Sequence, residues 1–201
     1  MNYLGHLYFS GNNHPMMLAN LFGDFVKGKD YTYLPKIVQN GVLLHRQIDD
    51  YIDNHSKVTE LRLKLYSSLP KIAGIAIDLY FDHLLAKSWS VHHNQKLNHF
   101  IDDFLAYALN KKNQAFKNHS FVYPERYIHL LHLINDHNWM KRYVNIEGLE
   151  MASKGLSKRI SFNNNLDQAT RVFLQNEEEI QLIFNEYMKD AKQKFNTPSI
   201  L

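Results

Sequence analysis

Behind Pro70 runs KIAGIAIDLYFDHLLAKSW, residues 71–89, a stretch that reads as one helix apolar on nearly every side. Ile72, Ile75, Ile77, Leu79, Tyr80, Phe81, Leu84 and Leu85 leave it no polar face, and such a helix belongs inside a domain. Asp78 and Asp82 interrupt it at a spacing of four, which puts both on one side, with His83 adjacent. An unpaired carboxylate withdrawn from water is costly, or it takes up a proton and becomes neutral. The expectation is that cations meet these acids in the interior, either Arg or Lys side chains or a metal.

The rest of the chain is read as helices arranged around that one. Pro15 opens PMMLANLFGDF, with Asn20 and Asp24 four apart, and Lys27 to Tyr33 is a polar connection. Pro35 opens a longer helix to about Asp53, with Ile37, Gly41, Leu44, Ile48 and Tyr51 as its apolar stripe. Ser56 starts a helix through Tyr66. SVHHNQ is a loop, Leu97 to Ala108 is amphipathic, and Asn110 to Ser120 is polar and exposed. Pro124 starts a helix, Trp139 to Ile160 is short-patterned and basic, and FNNNLDQ turns into a last helix carrying Glu177 to Glu179 in its middle. No alternating strand pattern stands out. The fold class expected is all-α, a single compact multi-helix domain over residues 1–201.

Composition narrows the chemistry. There is no cysteine, hence no disulfide, thiolate nucleophile or Cys-ligated metal, and a cytoplasmic setting is the default. A metal would have to be held by His, Asp and Glu, which favours Mn, Mg, Fe or a His-rich zinc site. No apolar run approaches the roughly 18 residues that span a bilayer, and the N-terminal stretch does not read as a signal peptide. A formal charge of +3 is too small to argue for nucleic acid. Phosphate-loop, dinucleotide and serine-hydrolase motifs are absent from the sequence.

Within GVLLHRQIDDYID, His45, Asp49 and Asp53 share a helix face beside the apolar stripe, at the wall of a core. Taken alone, that pattern is as well explained by a solvated face. His6 in LGHLYF and Asp24 in LFGDFV also stand in apolar settings, where a hydrogen-bonded core histidine and a helix cap are the plain readings. Four segments each offering His or Asp within the first 90 residues point to one centre gathered between helices, with one or two metal ions. His129 and His132 are expected at the surface. Lys141, Arg142, Lys154, Lys158 and Arg159 make the downstream third basic, a solvated face or a landing surface for an acidic partner.

NYLGHL near the start, NLFGDFVKG at 20–28, GVLLHRQIDDYID at 41–53 and IDLYFDHLLAKSW at 77–89 resemble, in order and spacing, the acyl carrier protein phosphodiesterase (holo-acyl-carrier-protein hydrolase) family. The resemblance implies an HD-domain-like helical protein. It would use a divalent metal, manganese favoured, to remove 4'-phosphopantetheine from holo-acyl carrier protein. An adjacent His-Asp pair names the HD site; here the pairs are Asp82-His83, in reversed order, and His45-Arg46. On this reading the expected metal ligands are His6, Asp24, His45, Asp82 and His83. Asp49 and Asp78 are expected as ligands, orienting acceptors or general acid/base, and Arg46 as the neutraliser of phosphate charge. The basic 141–159 region would meet the acidic carrier protein. Rival readings are a related phosphohydrolase acting on a nucleotide or small phosphoester, and a non-catalytic helical module.

Overall fold

The computed structural model describes residues 1–116 and 120–195. Among these the chain forms twelve α-helices and one two-stranded hairpin, so the all-α expectation holds. The helices are α1 (Tyr3–Phe9), α2 (His14–Leu21), α3 (Lys36–Asn54), α4 (Ser56–Leu65), α5 (Ala73–Lys87) and α6 (Trp89–His92). After them come α7 (Leu97–Ala108), α8 (Glu125–Asp136), α9 (Trp139–Arg142), α10 (Ile146–Ser157), α11 (Ala169–Gln175) and α12 (Glu177–Phe195). No helix among the described residues is long and apolar enough to cross a membrane.

Helix α5 lies where its composition demands. Ala76, Ile77, Leu79, Tyr80, Phe81, Leu84 and Leu85 are all buried, and α1, α4, α10 and α12 pack around it. Burying an apolar side chain of this size stabilises by about 1.5–3 kcal/mol, so this helix anchors the core energetically as well as geometrically. It starts at Ala73, later than the proline suggests, because Lys71 adopts a positive φ of 66° that breaks the helical path. Buried tyrosines tie distant elements to the core through their hydroxyls. Tyr80 donates to the Ala169 carbonyl at 2.7 Å and Tyr127 to the Leu18 carbonyl at 2.6 Å.

Three segments depart from the sequence reading. Asn176 leaves helical geometry (φ −130°, ψ 18°) and splits the last helix into α11 and α12. Glu177 to Glu179 therefore sit in the first turn of α12, where the helix dipole favours acids, rather than in its middle. Within the expected loop SVHHNQ, the chain winds one helical turn as part of α6. A hairpin pairs Ala115–Phe116 (β1) with Phe121–Val122 (β2), too short to show any alternation in sequence. Residues 117–119 of the expected polar stretch, and 196–201 of the expected domain, lie outside the described residues.

Helices α2 and α3 form the tightest pair, and the site rests on them. Gly41 makes the approach possible: a Cβ there would lie 2.3 Å from the Ala19 Cβ and 2.5 Å from the Ala19 carbonyl carbon. Gly41→Ala is expected to force the helices apart at a cost of about 1–3 kcal/mol. Urea denaturation monitored by circular dichroism should show the midpoint falling, and an unchanged midpoint would contradict the close approach.

Candidate metal centre

The N-terminal helix α1 has seven residues, too few to be stable alone in water. It carries His6, which is 3% exposed. Helix α3 carries His45 and Asp49 one turn apart, and a short 3₁₀ turn, Phe22–Phe25, carries Asp24. These four side chains meet. His6 Nε2 lies 3.1 Å from Asp49 Oδ1, and His45 Nε2 lies 3.2 Å from Asp49 Oδ2 and 3.3 Å from Asp24 Oδ1. The two imidazoles stack at 4.1 Å between centroids, 15° from parallel. One donor atom each from His6, His45 and Asp49 falls within 4.8 Å of the others, a grouping that could hold a metal ion.

Local sequence explains how the rings arrive there. Gly23 has no side chain because the His45 ring occupies that space; a Cβ would lie 2.4 Å from His45 Cγ. Asn20 settles the tautomer of His6. Its amide nitrogen donates to the His6 carbonyl at 3.0 Å and to Ser10 Oγ at 2.9 Å, so its oxygen is left to accept from His6 Nδ1 at 3.0 Å. His6 Nδ1 therefore carries the proton and Nε2 presents a lone pair to Asp49. Lone pair and carboxylate oxygen then face each other across 3.1 Å unless a positive charge lies between them. Burial lowers the His6 pKa, which makes a proton a poor choice for that charge and a divalent cation a good one.

His45 is the other half of the balance. Burial alone would depress its pKa, but its bonds to Asp24 and Asp49 outweigh that and raise it to about 9. Against the opposing effect of burial, the bond from His45 holds the Asp49 carboxyl well below the usual range, and the His45 bond also lowers the Asp24 carboxyl. With His45 protonated and both carboxylates ionised the cluster is net negative, which favours a cation, and His45 would give up its Nε2 proton to serve as a ligand. Imidazoles with carboxylates are a donor set suited to Mn or Fe, and the residues present fit such an ion.

The centre forms the floor of a cleft of about 290 Å³ whose walls include Asp53, Asp78, Tyr3 and Leu156. Asp78 stands across from α3, with the Met1 amine 2.9 Å from its carboxylate. Partial burial and then the nearby Asp78 raise the Asp53 carboxyl above its ordinary value. Every ionisable side chain lining this cleft apart from His6 and Tyr3 is thus an acid.

Asp82, His83 and Arg46 are placed elsewhere. Asp82, fully buried, accepts from the Leu4 N–H at 2.8 Å and the Gly5 N–H at 3.0 Å, closing the open donors at the start of α1. Main-chain N–H groups, rather than an Arg or Lys side chain, are its hydrogen-bond partners. Burial nevertheless pushes its pKa up to about 7. His83 Nδ1 lies 2.6 Å from the Tyr143 carbonyl, which holds the chain between α9 and α10 against α5. Arg46 donates to the Val26 and Gly28 carbonyls at 3.2 and 2.6 Å and stacks on Tyr31, so it braces the loop that follows Asp24. His129 and His132 are exposed, as expected. Sequence reasoning passed over Asn20 as a site residue; its signal was an amide in an apolar helix, one turn before Asp24.

An all-α domain with an imidazole–carboxylate cluster in an acid-walled cleft, three of whose donors could hold a cation, has a site suited to hydrolytic chemistry. The sequence profile of the acyl carrier protein phosphodiesterase family matches residues 1–191, and the chain belongs to that family of hydrolases. It is 29% identical over 160 residues to the acyl carrier protein phosphodiesterase of Escherichia coli (strain K12 / DH10B), covering 79% of each chain. Against the protein of the same name from Salmonella dublin the figure is 28% over 160 residues, again 79% of each. No solved structure matches the chain.

The His45 shift predicts a pH limb for the metal-free protein. A pKa raised from an ordinary 6.5 to about 9 contributes stability that is whole below 6.5 and lost as pH rises through 9. Asp82, a carboxyl raised to about 7, also loses stability with rising pH, but its limb ends near pH 7. In EDTA, the urea midpoint should therefore fall between pH 7 and 9, and His45→Gln should flatten that limb. A limb of the same slope in His45→Gln would refute the assignment.

Proposed function

We propose that the protein hydrolyses the phosphodiester between 4'-phosphopantetheine and a serine of holo-acyl carrier protein. Water adds to phosphorus, the bond from phosphorus to the serine oxygen breaks, and apo-carrier protein and 4'-phosphopantetheine leave. The observation that carries this reading is the His6–His45–Asp49 cluster, with Asp24 beside it, at the floor of an open cleft in a chain of this family.

The acid walls supply a physical argument for a metal cofactor. A phosphodiester anion entering a cleft lined by Asp24, Asp49, Asp53 and Asp78 meets mainly like charge, only partly offset by the Met1 amine at Asp78 and Arg62 at Asp53. His6, His45, Asp49 and Asp24 would hold a divalent ion, with manganese the favoured choice, that reverses this field. Such an ion supplies Lewis-acid activation of water and of the phosphoryl group.

The chain's own groups do the rest. Asn20 keeps the His6 lone pair directed into the centre, and Gly23 lets the His45 ring reach it. Arg46 serves by bracing the Asp24 loop through the Val26 and Gly28 carbonyls, not by touching phosphate. Asp53 and Asp78 face the cleft without belonging to the cluster, and the raised Asp53 carboxyl suits it to return a proton to the departing serine oxygen. Asp82 and His83 support the site by fixing α1 and the chain before α10.

An acidic carrier protein would land on the basic region. Lys141 is paired with Asp102 and Lys154 with Glu150, while Arg142, Lys158 and Arg159 are exposed. The basic field there is consequently weaker than the charge count implies.

Two measurements test these assignments. Manganese-loaded protein should convert holo- to apo-carrier protein, followed by mass spectrometry. EDTA should abolish the conversion, and Asp49→Asn should lower kcat/KM by roughly 10²–10⁴-fold. Absence of conversion by the manganese-loaded wild type would overturn the proposal. The double variant Lys154→Glu, Lys158→Glu should raise KM for carrier protein and weaken its salt dependence while leaving hydrolysis of bis(p-nitrophenyl) phosphate unchanged. Unaltered KM would remove the docking assignment.

A further inference from the structure

The cleft over the cluster has a continuation. Asn2, Tyr3 and Leu156 line both the cleft and a narrower throat of about 70 Å³. Trp139, Met151 and Arg159 line both that throat and an outer hollow of about 350 Å³. Cleft, throat and hollow therefore adjoin one another through shared lining residues, in order from the imidazole–carboxylate cluster toward the surface near α9.

The path has an apolar face and a polar end. Met151, Ala152, Gly155, Leu156 and Arg159 recur along α10 at helical spacing, so a single face of that helix, with the residues just beyond its end, forms one wall. Tyr3 and Trp139 stack at 6.3 Å and 13° to form the opposite wall, and the Arg159 guanidinium covers Trp139 at 5.0 Å. Flat rings and aliphatic groups suit a slender chain with methyl groups and amides, while the Arg142 and Arg159 charges at the outer end suit carbonyl oxygens. The throat is too narrow for a folded segment of a partner protein.

We infer that this throat is the binding channel for the pantetheine arm, the amide-linked limb esterified to the phosphate, and that it sets the enzyme's preference for a phosphodiester bearing such an arm. The inference rests on the proposed reaction. A phosphodiester seated over His6 and Asp49 has two ester limbs, one leading to the carrier protein and one to the small group. The carrier protein is too large to enter and stays outside, against the exposed Lys154 and Lys158 of the α10 region, while the small limb extends along the path whose walls begin at Asn2, Tyr3 and Leu156 and leaves Arg142 and Arg159 to the arm. Substrate choice then resides in α9 and α10, away from the groups that perform the chemistry.

Gly155 offers a clean probe. It lines the throat and not the cleft, it is helical, and a Cβ there meets open space. Replacing a helical glycine does not weaken the helix. Gly155→Phe, with Ala152→Leu as a second variant, is compared with wild type on holo-carrier protein and on bis(p-nitrophenyl) phosphate, which has no arm. Free 4'-phosphopantetheine and inorganic phosphate are tested as inhibitors of the small substrate. The expected result is a KM for holo-carrier protein raised about 10-fold or more, the scale on which a misfit in an apolar pocket discriminates. Hydrolysis of the armless ester should stay as it was, and wild type, but not the variants, should bind phosphopantetheine more tightly than phosphate. Wild-type KM in both variants, or equal loss on both substrates, overturns the channel. A wild-type enzyme that cleaves the armless ester and ignores holo-carrier protein overturns the reaction instead, so the two failures are told apart.

Discussion

Helix α1 is held by side chains that belong to other helices, and the centre depends on that. At seven residues it contributes little stability of its own. Asp82, from the interior of α5, takes up the N–H groups of Leu4 and Gly5, and Asn20, from α2, grips the His6 carbonyl and ring. These two grips fix both the position and the rotation of the helix. A charged or amide side chain at 0% exposure is unfavourable unless its polar atoms are paired, and here the pairing delivers His6 to Asp49 within hydrogen-bond distance.

The same pattern of polar groups satisfied by main chain recurs around the site. Arg46 spends its charge on two loop carbonyls, and His83 meets the Tyr143 carbonyl. The polar shell that supports the centre is thus paired with main chain, whereas the acids facing the cleft keep their charge for it. That division suits the proposed cation site, since preorganised ligands would need no rearrangement on binding an ion.

Much of this was legible in the residues. The Pro70 to Trp89 stretch declared a buried helix through its unbroken apolarity, and His45 and Asp49 declared a shared face through their spacing. His6 and Asp24 stood out as polar residues in apolar company, and the structure brings all four together. What spacing could not reveal is which partner a buried acid finds. Asp78 and Asp82 sit on the same face of α5, yet Asp82 turns to the start of α1 while Asp78 borders the cleft. Nor could it show that Asn176 breaks the last helix, because an asparagine is compatible with a helix until tertiary packing decides.

The chain has two tryptophans, and the fold gives them opposite circumstances. Trp89 is sealed in the core, its indole N–H donating to the Gln95 carbonyl at 2.8 Å. Trp139 stands in the wall of the throat, between Tyr3 and Arg159. The fold therefore separates two indoles that can serve as optical reporters: Trp139 stands where a ligand in the throat would alter its emission, while Trp89 lines neither throat nor cleft.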